Sequence, residues 1–386
     1  MGFPKKLNTK LKNRTEANAL RKLNLQHDLV DFSSNDYLGI ARSKDVFNSA
    51  SQYVKDHDME LNGATGSRLL SGNHHIYNHL EKFLKTFHDS EAALVFNSGY
   101  DANIGFFSSV PQRGDIILFD EFIHASIRDG IKMSDARSYK FKHNDIEHFQ
   151  ELLIRHSEPL SQPQQDIFVV TESVFSMDGD TPDLIKMSTI SKRYNAHLIV
   201  DEAHAVGLFG EKGHGIIQDL GITEDVFARV ITFGKALGCH GAAILGSEKL
   251  RQYLINFSRS FIYTTGLSPH SVATVLAGYE YLIAEEGMKK VDELVKNIAH
   301  FKSNIKKLGL ENIFITSDSA IQCCLISGNE KVKTIATALH GKGFDVKPIL
   351  SPTIPKGQER LRFCLHSYNS QEEIEKVLET LRIFVE

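Results

Sequence analysis

The feature that most constrains this fold is a repeating order in the middle of the chain. A short apolar run is followed by a polar, glycine-bearing turn and then by a helical pattern. The runs are Ala92–Phe96, Asp115–Asp120, Asp166–Ser173, Ala196–Ala203, Arg229–Phe233 and Ala242–Gly246. Most are rich in Val and Ile and apolar at successive positions, which is typical of strands buried on both faces of a mostly parallel sheet. Amphipathic stretches such as Ile76–Phe87 would form the crossover helices, so we predict an α/β domain.

The two ends of the chain have a different pattern. After about Gly287, long amphipathic helices enclose short strand candidates, which indicates a smaller α+β domain. The helices are expected at Lys289–Leu308 and Gln371–Phe384, and the strands at Ala320–Ile326, Phe344–Ile349 and Leu361–Leu365. The basic N-terminal segment is too short to form a core. A chain of 386 residues exceeds one ordinary core, so we predict an N-terminal arm (1–43), a large α/β domain (44–283) and a small C-terminal α+β domain (284–386).

Charge and cysteine content exclude several classes of protein. The 44 basic and 48 acidic residues give a net charge of −4, which offers no electrostatic reason to bind nucleic acid. The cysteines lack the spacing of a disulfide framework or a CxxC metal site, and they are Cys239, Cys323, Cys324 and Cys364. The long charge-free window Phe261–Tyr279 contains Pro269 and several polar residues and does not resemble a membrane span. We therefore expect a soluble protein of the reducing cytoplasm.

The residues that follow the apolar runs are the candidate site, because ligands of an open parallel sheet bind at the carboxyl ends of its strands. Asn97-Ser98-Gly99-Tyr100 follows the first run and opens a helical pattern. Such a turn exposes backbone N–H groups at the positive end of a helix dipole, which suits an anion such as phosphate. The motif is neither a Walker loop nor a GxGxxG dinucleotide motif. By itself it is weak evidence.

Two later runs end on charged side chains. Asp201 lies at the end of the fourth run and His204 follows it, and Lys235 follows the fifth run within Gly234-Lys235-Ala236-Leu237-Gly238. Each has an ordinary interpretation: a loop-capping aspartate, a histidine bonded to backbone, a solvated lysine. Together with the glycine turn, however, they match the needs of pyridoxal phosphate. This cofactor requires an amine for its aldehyde, a carboxylate for its pyridine nitrogen and donors for its phosphate.

These residues lie within motifs that resemble the α-oxoamine synthases, a family of fold-type-I pyridoxal-phosphate enzymes. The resemblance covers nearly the whole chain. Its most specific stretches are SSNDYLG (33–39), GSRLLSGN (66–73), FNSGYDAN (96–103), HAS (124–126), TESVFSMDGD (171–180), VDEAHAVGLFGEKGHG (200–215), TFGKALG (232–238) and PTIPKGQERLR (352–362). The implied fold is a large, mostly parallel-sheet domain with a smaller α+β C-terminal domain and an N-terminal arm.

The resemblance implies a role for each candidate cofactor residue. Lys235 would form the Schiff base with the cofactor and would later remove and return the α-proton. Asp201 would pair with the pyridine nitrogen. His204 would pair with the phenolic oxygen, with Ser176 nearby, and His124 would stack on the ring unless it is simply a core histidine. The phosphate would be held by the residues Gly99, Tyr100 and Thr232, and by Thr264 or Thr265 of a second subunit.

The resemblance also implies substrates and assembly. Arg362 would bind an amino-acid carboxylate with bidentate geometry, and Arg21 and Thr353 match positions that contact substrate, although Arg21 could instead be a solvated helix residue. The implied reaction is a decarboxylative condensation of L-alanine with a pimeloyl thioester, carried on CoA or on acyl carrier protein. The products would be 8-amino-7-oxononanoate, CO2 and the free thiol carrier, in biotin biosynthesis. A homodimer is expected.

Departures from the family pattern leave alternatives open. Leu350-Ser351 stands where many relatives carry Arg-Pro, and Phe363 to His366, including Cys364, replaces a Thr-rich strand. These differences bear on the acyl donor. A sister synthase, 2-amino-3-ketobutyrate CoA ligase, which joins glycine and acetyl-CoA, is the nearest alternative, although GSRLLSGN and TFGKALG favour the alanine enzyme. A non-catalytic pyridoxal-phosphate regulator is a further one.

A metal enzyme is the last alternative, suggested by the clustered histidines His74, His75, His79, His143 and His148. No HExxH motif or comparable carboxylate spacing accompanies these histidines. The sequence therefore predicts no metal ligand.

Overall fold

The computed structural model describes residues 2–21, 23, 28–157 and 165–385. Two compact units can be distinguished. The large unit comprises Leu38–Ser176 and Thr181–Asp292, and the small unit comprises Met1–Tyr37, Met177–Asp180 and Glu293–Glu386. The limits 1–43, 44–283 and 284–386 remain a prediction from the sequence.

Helices and strands alternate through most of the described chain. The helices are α1 Lys5–Glu16, α2 Lys44–Asp56, α3 His75–Phe87, α4 Gly99–Phe107, α5 Ala125–Met133, α6 Ile146–Ser157, α7 Leu184–Arg193, α8 Ile216–Asp219, α9 Glu248–Phe257, α10 Arg259–Ile262, α11 Pro269–Ile283, α12 Glu285–Lys307, α13 Asn329–Gly341 and α14 Gln371–Val385. The strands are β1 Val30–Asp31, β2 Ala92–Phe96, β3 Ile116–Asp120, β4 Arg137–Phe141, β5 Ile167–Glu172, β6 His197–Asp201, β7 Ala228–Thr232, β8 Ala242–Gly246, β9 Ile321–Leu325, β10 Phe344–Asp345, β11 Lys347–Ile349 and β12 Arg360–Cys364.

The large unit is built on one seven-stranded sheet in the order β2-β8-β7-β6-β5-β3-β4. Strand β8 runs antiparallel to both of its neighbours, and the other pairs are parallel. Every residue of β2 and β5 is buried, as expected for strands with helices on both faces. All six predicted strands are present within two residues of their expected limits. The predicted α/β fold class is confirmed.

Strand β4 was not predicted from the sequence. Its sequence is RSYKF, and its first four residues are not buried. Among the described strands it pairs only with β3, at the edge of the sheet. An edge strand exposes polar and charged side chains, so it lacks the continuous apolar run by which the inner strands were recognised.

The small unit contains the predicted α+β pattern. Strands β11, β12 and β9 form an antiparallel sheet, and β1 pairs in parallel with β10. The single strand predicted at Phe344–Ile349 is wrong in one respect. It is interrupted at Val346, and its two halves, β10 and β11, belong to different sheets.

No helix among the residues with described coordinates combines the length and the apolar character needed to cross a membrane.

Candidate active site

A cavity of about 230 Å³ lies at the carboxyl ends of the parallel strands of the large unit. It is lined by Ser98, Gly99, Tyr100, Asn103, His124, Ser126, Glu172, Asp201, Ala203, His204, Thr232, Gly234, Lys235, His240 and Gly241. The sheet therefore brings together predicted residues that are widely separated in sequence, from the glycine turn to the lysine. We call this cavity the active-site pocket.

Lys235 lies in the turn that follows β7. Its backbone carbonyl accepts a hydrogen bond from the Gly238 amide at 2.8 Å, which closes the turn. Gly238 has φ of 60°, and a Cβ there would collide with the backbone of Ala41, so only glycine fits. The Lys235 Nζ is 3.0 Å from Nε2 of His204. An ammonium can only donate, so His204 Nε2 accepts whenever Lys235 is charged.

Asp201 is the last residue of β6 and is only 5% exposed. Its Oδ1 accepts a hydrogen bond from the Ala203 amide at 2.9 Å, and its Oδ2 accepts one from Nδ2 of Asn103 at 2.9 Å. A buried carboxylate is stable only when it is bonded or paired with a cation. These contacts fix its orientation at the pocket wall, where it can pair with a cationic ligand atom.

The amino end of α4 forms a second wall. Ser98 caps the helix, because its Oγ accepts a hydrogen bond from the Asp101 amide at 3.0 Å. The helix begins at Gly99, where a Cβ would lie 2.6 Å from Cγ2 of Thr232. The Thr232 Oγ1 is buried and has no hydrogen-bond partner within the described residues. Free helix N–H groups and an unsatisfied hydroxyl are the donors that a phosphate requires.

His124 lies on the third wall, at the amino cap of α5. Its Nδ1 is 2.7 Å from Oγ of Ser126, and Ser126 Oγ accepts a hydrogen bond from Asn103 at 3.0 Å. The surrounding protein lowers the pKa of His124 by desolvation, and the charge of Lys235 lowers it further, against the opposing effect of Asp201. Asn103 and Ser126 were missed as site residues, although both lie inside the motifs FNSGYDAN and HAS.

Glu172 is another pocket residue that sequence reasoning missed. It ends β5, lies opposite Asp201 in the sheet and is 3% exposed. Its Oε1 accepts a hydrogen bond from the His124 amide at 2.5 Å. Burial, together with the nearby Asp201, raises the pKa of Glu172 well above its usual value. Glu172 ends an apolar strand on a carboxylate, which is the same signal that pointed to Asp201.

Replacing Glu172 with glutamine tests this raised pKa. A carboxyl whose pKa is higher in the folded state stabilises the fold fully below its ordinary pKa of 4.5, and that contribution is lost as the pH rises through the raised value. Glutamine has no proton to lose. Relative to wild type, Glu172→Gln should therefore gain stability as the pH rises from 5 to 8, measured by urea unfolding. The exposed Glu147→Gln should show no such trend, and a pH-independent effect of Glu172→Gln would contradict the prediction.

Three predicted cofactor residues lie elsewhere in the large unit. Ser176 donates its backbone N–H to Glu172 and is not among the residues lining the active-site pocket. Nδ2 of Asn97 donates to Oγ1 of Thr264 at 3.2 Å and to the carbonyl of Thr265 at 2.5 Å. Thr264 lines a separate small cavity. The roles of Ser176, Thr264 and Thr265 stay predictions.

The predicted substrate residues belong to the small unit. Arg21 donates to Oγ1 of Thr353 at 3.4 Å, so these two residues are neighbours. Arg362 lies on β12, where its guanidinium donates to Oδ1 of Asn35 at 3.0 Å and to Sγ of Cys364 at 2.9 Å. Cys364 is one of the departures from the family pattern, and it therefore contacts the predicted carboxylate-binding arginine directly.

In the described ranges 2–21, 23, 28–157 and 165–385, no group of three or more His, Cys, Asp or Glu side chains is placed to hold a metal ion.

Comparison with known proteins identifies the family. Residues 27–381 match the model of aminotransferase class I and II. The chain is 38% identical to 8-amino-7-oxononanoate synthase of Emericella nidulans, over 97% of this chain and 94% of the relative. The chain belongs to the α-oxoamine synthases.

Solved structures of α-oxoamine synthases have the same fold. A serine palmitoyltransferase variant from S. paucimobilis with a bound PLP–myriocin aldimine superposes with a TM-score of 0.86 at 25% identity, over 98% of this chain and 96% of that one. The 8-amino-7-oxononanoate synthase from Francisella tularensis has a TM-score of 0.77 at 28% identity, over 92% of this chain and 98% of that one. The family is pyridoxal-phosphate dependent, so the class of cofactor predicted from the sequence is confirmed.

Proposed function

We propose that this α-oxoamine synthase condenses L-alanine with a pimeloyl thioester, releasing 8-amino-7-oxononanoate, CO2 and the free thiol carrier. The observation that carries the proposal is the convergence of Lys235, Asp201 and the glycine-opened helix α4 on one pocket. The curated relative from Emericella nidulans, at 38% identity, supports this choice of substrates over other members of the family.

The pocket fits pyridoxal phosphate. The buried Thr232 hydroxyl, which has no partner among the described residues, and the first amides of α4, at Gly99 and Tyr100, would hold the phosphate. Asp201 would pair with the pyridine nitrogen, and His204 would bond to the phenolic oxygen with Ser176 nearby. When bound, the cofactor supplies an aldehyde that reacts with amines and a heterocycle that accepts an electron pair.

Each charged residue of the pocket has a separate role in the proposed reaction. Lys235 supplies the amine that anchors the cofactor, and it takes the α-proton from the amino acid and later returns one to the product. Asp201 favours a protonated pyridine nitrogen, because a fixed carboxylate stabilises the adjacent positive charge. His124 would cover one face of the ring. Lys235 and His204 are hydrogen-bonded at 3.0 Å, so the lysine is held beside the expected phenolic oxygen.

We assign binding of the alanine carboxylate to Arg362, whose guanidinium is oriented by Asn35 and Cys364. A planar guanidinium can bind a carboxylate through two parallel hydrogen bonds. Arg21 and Thr353, which contact each other, are assigned to the substrate as well.

A homodimer is part of this proposal. Thr264 and Thr265 are bonded to Asn97 of their own chain and would contribute to the phosphate site of a second subunit. Sedimentation of the active enzyme should give a dimer. An active species that sediments only as a monomer would contradict this assignment.

The substrates are tested by pairing L-alanine or glycine with pimeloyl-CoA, pimeloyl-acyl carrier protein or acetyl-CoA, and by measuring the product mass. We expect 8-amino-7-oxononanoate from L-alanine and at least one pimeloyl thioester. Turnover of glycine with acetyl-CoA alone would identify the sister ligase instead. No change in the absorbance of the holoenzyme on adding L-alanine would support a non-catalytic regulator.

Gly99→Ala is expected to weaken cofactor binding roughly tenfold or more. The added methyl group would lie 2.6 Å from Cγ2 of Thr232, which must move and displace the hydroxyl assigned to the phosphate. Equilibrium titration of the cofactor-free protein with pyridoxal phosphate measures the change. Gly63→Ala is the matched control, because a Cβ there meets nothing within 4 Å. Equal affinities of the two variants would count against a phosphate site at α4.

A further inference from the structure

Four pocket residues form one continuous hydrogen-bonded chain. Nδ2 of Asn103 is 2.9 Å from Oδ2 of Asp201 and 3.0 Å from Oγ of Ser126. The same Ser126 oxygen is 2.7 Å from Nδ1 of His124. Asn103 is 2% exposed and Ser126 is fully buried, so water does not compete for these contacts. The chain connects Asp201 to His124, which are the two groups assigned to the nitrogen and the face of the cofactor ring.

The Asp201 carboxylate fixes the direction of the two hydrogen bonds that Asn103 makes. The Asp201 carboxylate can only accept, so the Asn103 amide must present its NH2 group to it. The opposite amide orientation would set oxygen against oxygen. The second hydrogen of that NH2 group is donated to Ser126 Oγ. Ser126 then has its own hydroxyl hydrogen left to donate to Nδ1 of His124.

A second donor reaches the same histidine nitrogen. The backbone N–H of Ser126 points at Nδ1 of His124 at 3.2 Å. Nδ1 therefore faces an N–H and an O–H and must use its lone pair. A proton on Nδ1 would oppose both donors. The proton of the neutral ring is consequently on Nε2, the nitrogen on the edge away from Ser126.

We propose that Asn103 and Ser126 are positioning residues that hold His124 as the neutral Nε2–H tautomer. The charged groups that face His124 are Asp201, Lys235 and Asp129, and Glu172 accepts its backbone amide. Asp201 and Asp129 favour the protonated ring, whereas Lys235 and desolvation oppose it. The hydrogen bonds of Asn103 and Ser126 select one tautomer of the neutral ring, because they act on Nδ1 alone.

The consequence for catalysis rests on the proposed function. Asp201 favours a positively charged pyridine ring, and a charged imidazolium stacked on that ring would repel it. Asn103 serves both needs with one amide, since it orients the Asp201 carboxylate and directs Ser126 to keep His124 neutral. The same side chain would thereby keep a negative charge at the pyridine nitrogen and a neutral ring on the face of the cofactor.

The test is the 15N spectrum of the histidine-labelled full chain, recorded with and without pyridoxal phosphate. Resonances of His124 are assigned by their loss in His124→Gln. In wild type, Nδ1 should have the shift of an unprotonated nitrogen and Nε2 that of a protonated one at neutral pH. In Ser126→Ala the backbone N–H still donates to Nδ1, so the neutral ring should keep its Nε2–H tautomer. The neutral ring loses the hydroxyl donor, so the titration midpoint should rise by about one pH unit, the value of one hydrogen bond. In the holoenzyme, the acid limb of the kcat profile should move upward with it.

Matched variants separate positioning from damage to the fold. Ser126→Thr keeps the hydroxyl and should keep the wild-type tautomer, while Asn103→Ala should shift the midpoint in the same direction as Ser126→Ala. Ser109→Ala removes another buried hydroxyl, which donates to the Gly105 carbonyl, and should change nothing at His124.

Either of two results would overturn the proposal. One is a wild-type spectrum that shows the proton of His124 on Nδ1. This result is independent of whether any variant folds. The other is a loss of activity in Ser126→Ala with the titration midpoint unchanged, which indicates a purely structural role. Absence of turnover with L-alanine and every pimeloyl thioester would refute the proposed function and would leave the tautomer assignment intact.

Discussion

Lys235→Ala is expected to lower turnover roughly 10³-fold or more while the protein still folds. Alanine removes both the amine assigned to the cofactor aldehyde and the group assigned to move the α-proton. The rest of the pocket is retained, so pyridoxal phosphate should still bind noncovalently through α4 and Asp201. Lys235 is only half-buried, and we expect its loss to change the free energy of unfolding by about 1 kcal/mol or less.

The measurement combines steady-state turnover with the visible spectrum. The variant should lack the long-wavelength band of the lysine-bound cofactor and should show the spectrum of the free aldehyde. Lys186→Ala is the control, because that lysine is exposed and pairs only with Asp183 on the surface among its described ion pairs. Retained turnover in Lys235→Ala would show that another residue is the reactive amine.

Asp201→Asn should lower kcat by about 10²–10³-fold, the effect of removing one fixed charge or donor from a preorganised site. The substitution keeps the shape of the side chain and removes its negative charge. The variant amide has only one oxygen for two donors, the Ala203 amide and the NH2 group of Asn103, so one of these two hydrogen bonds is lost. Cofactor binding should weaken less than kcat, because the phosphate donors are unchanged.

Turnover and cofactor affinity should be measured together for Asp201→Asn. Asp225→Asn is a suitable control, since Asp225 pairs with Lys192 and does not line the active-site pocket. If Asp201→Asn turned over at the wild-type rate, the carboxylate would not be the partner of the pyridine nitrogen.

The inner strands could be predicted because burial on both faces requires apolar residues at successive positions of the sequence. β2 and β5 are apolar at nearly every position, since helices cover both faces of the sheet. The edge strand β4 has no such continuous apolar run. The interruption of the predicted strand at Val346 could not be predicted either. A strand that changes partners and a strand that continues can have the same local sequence.

The residues of the site also include some that could be predicted from the sequence and some that could not. Lys235 and Asp201 could be found because charge at the end of an apolar run is unusual and needs an explanation. Asn103 and Ser126 act through other side chains, so their role depends on distances that only the folded chain defines. Glu172 satisfied the rule used for Asp201 and could have been found with it.

The antiparallel strand β8 determines how the lysine can move. Because β8 returns directly beside β7, with Thr232 opposite Ala242, the segment that carries Lys235 is clamped at both ends by one sheet rather than leading into a crossover helix. Its backbone should share the slow hydrogen exchange of the sheet. Motion of the amine between cofactor and substrate is then left to the four-carbon side chain, which rearranges in picoseconds to nanoseconds where it is solvated, without any loop opening.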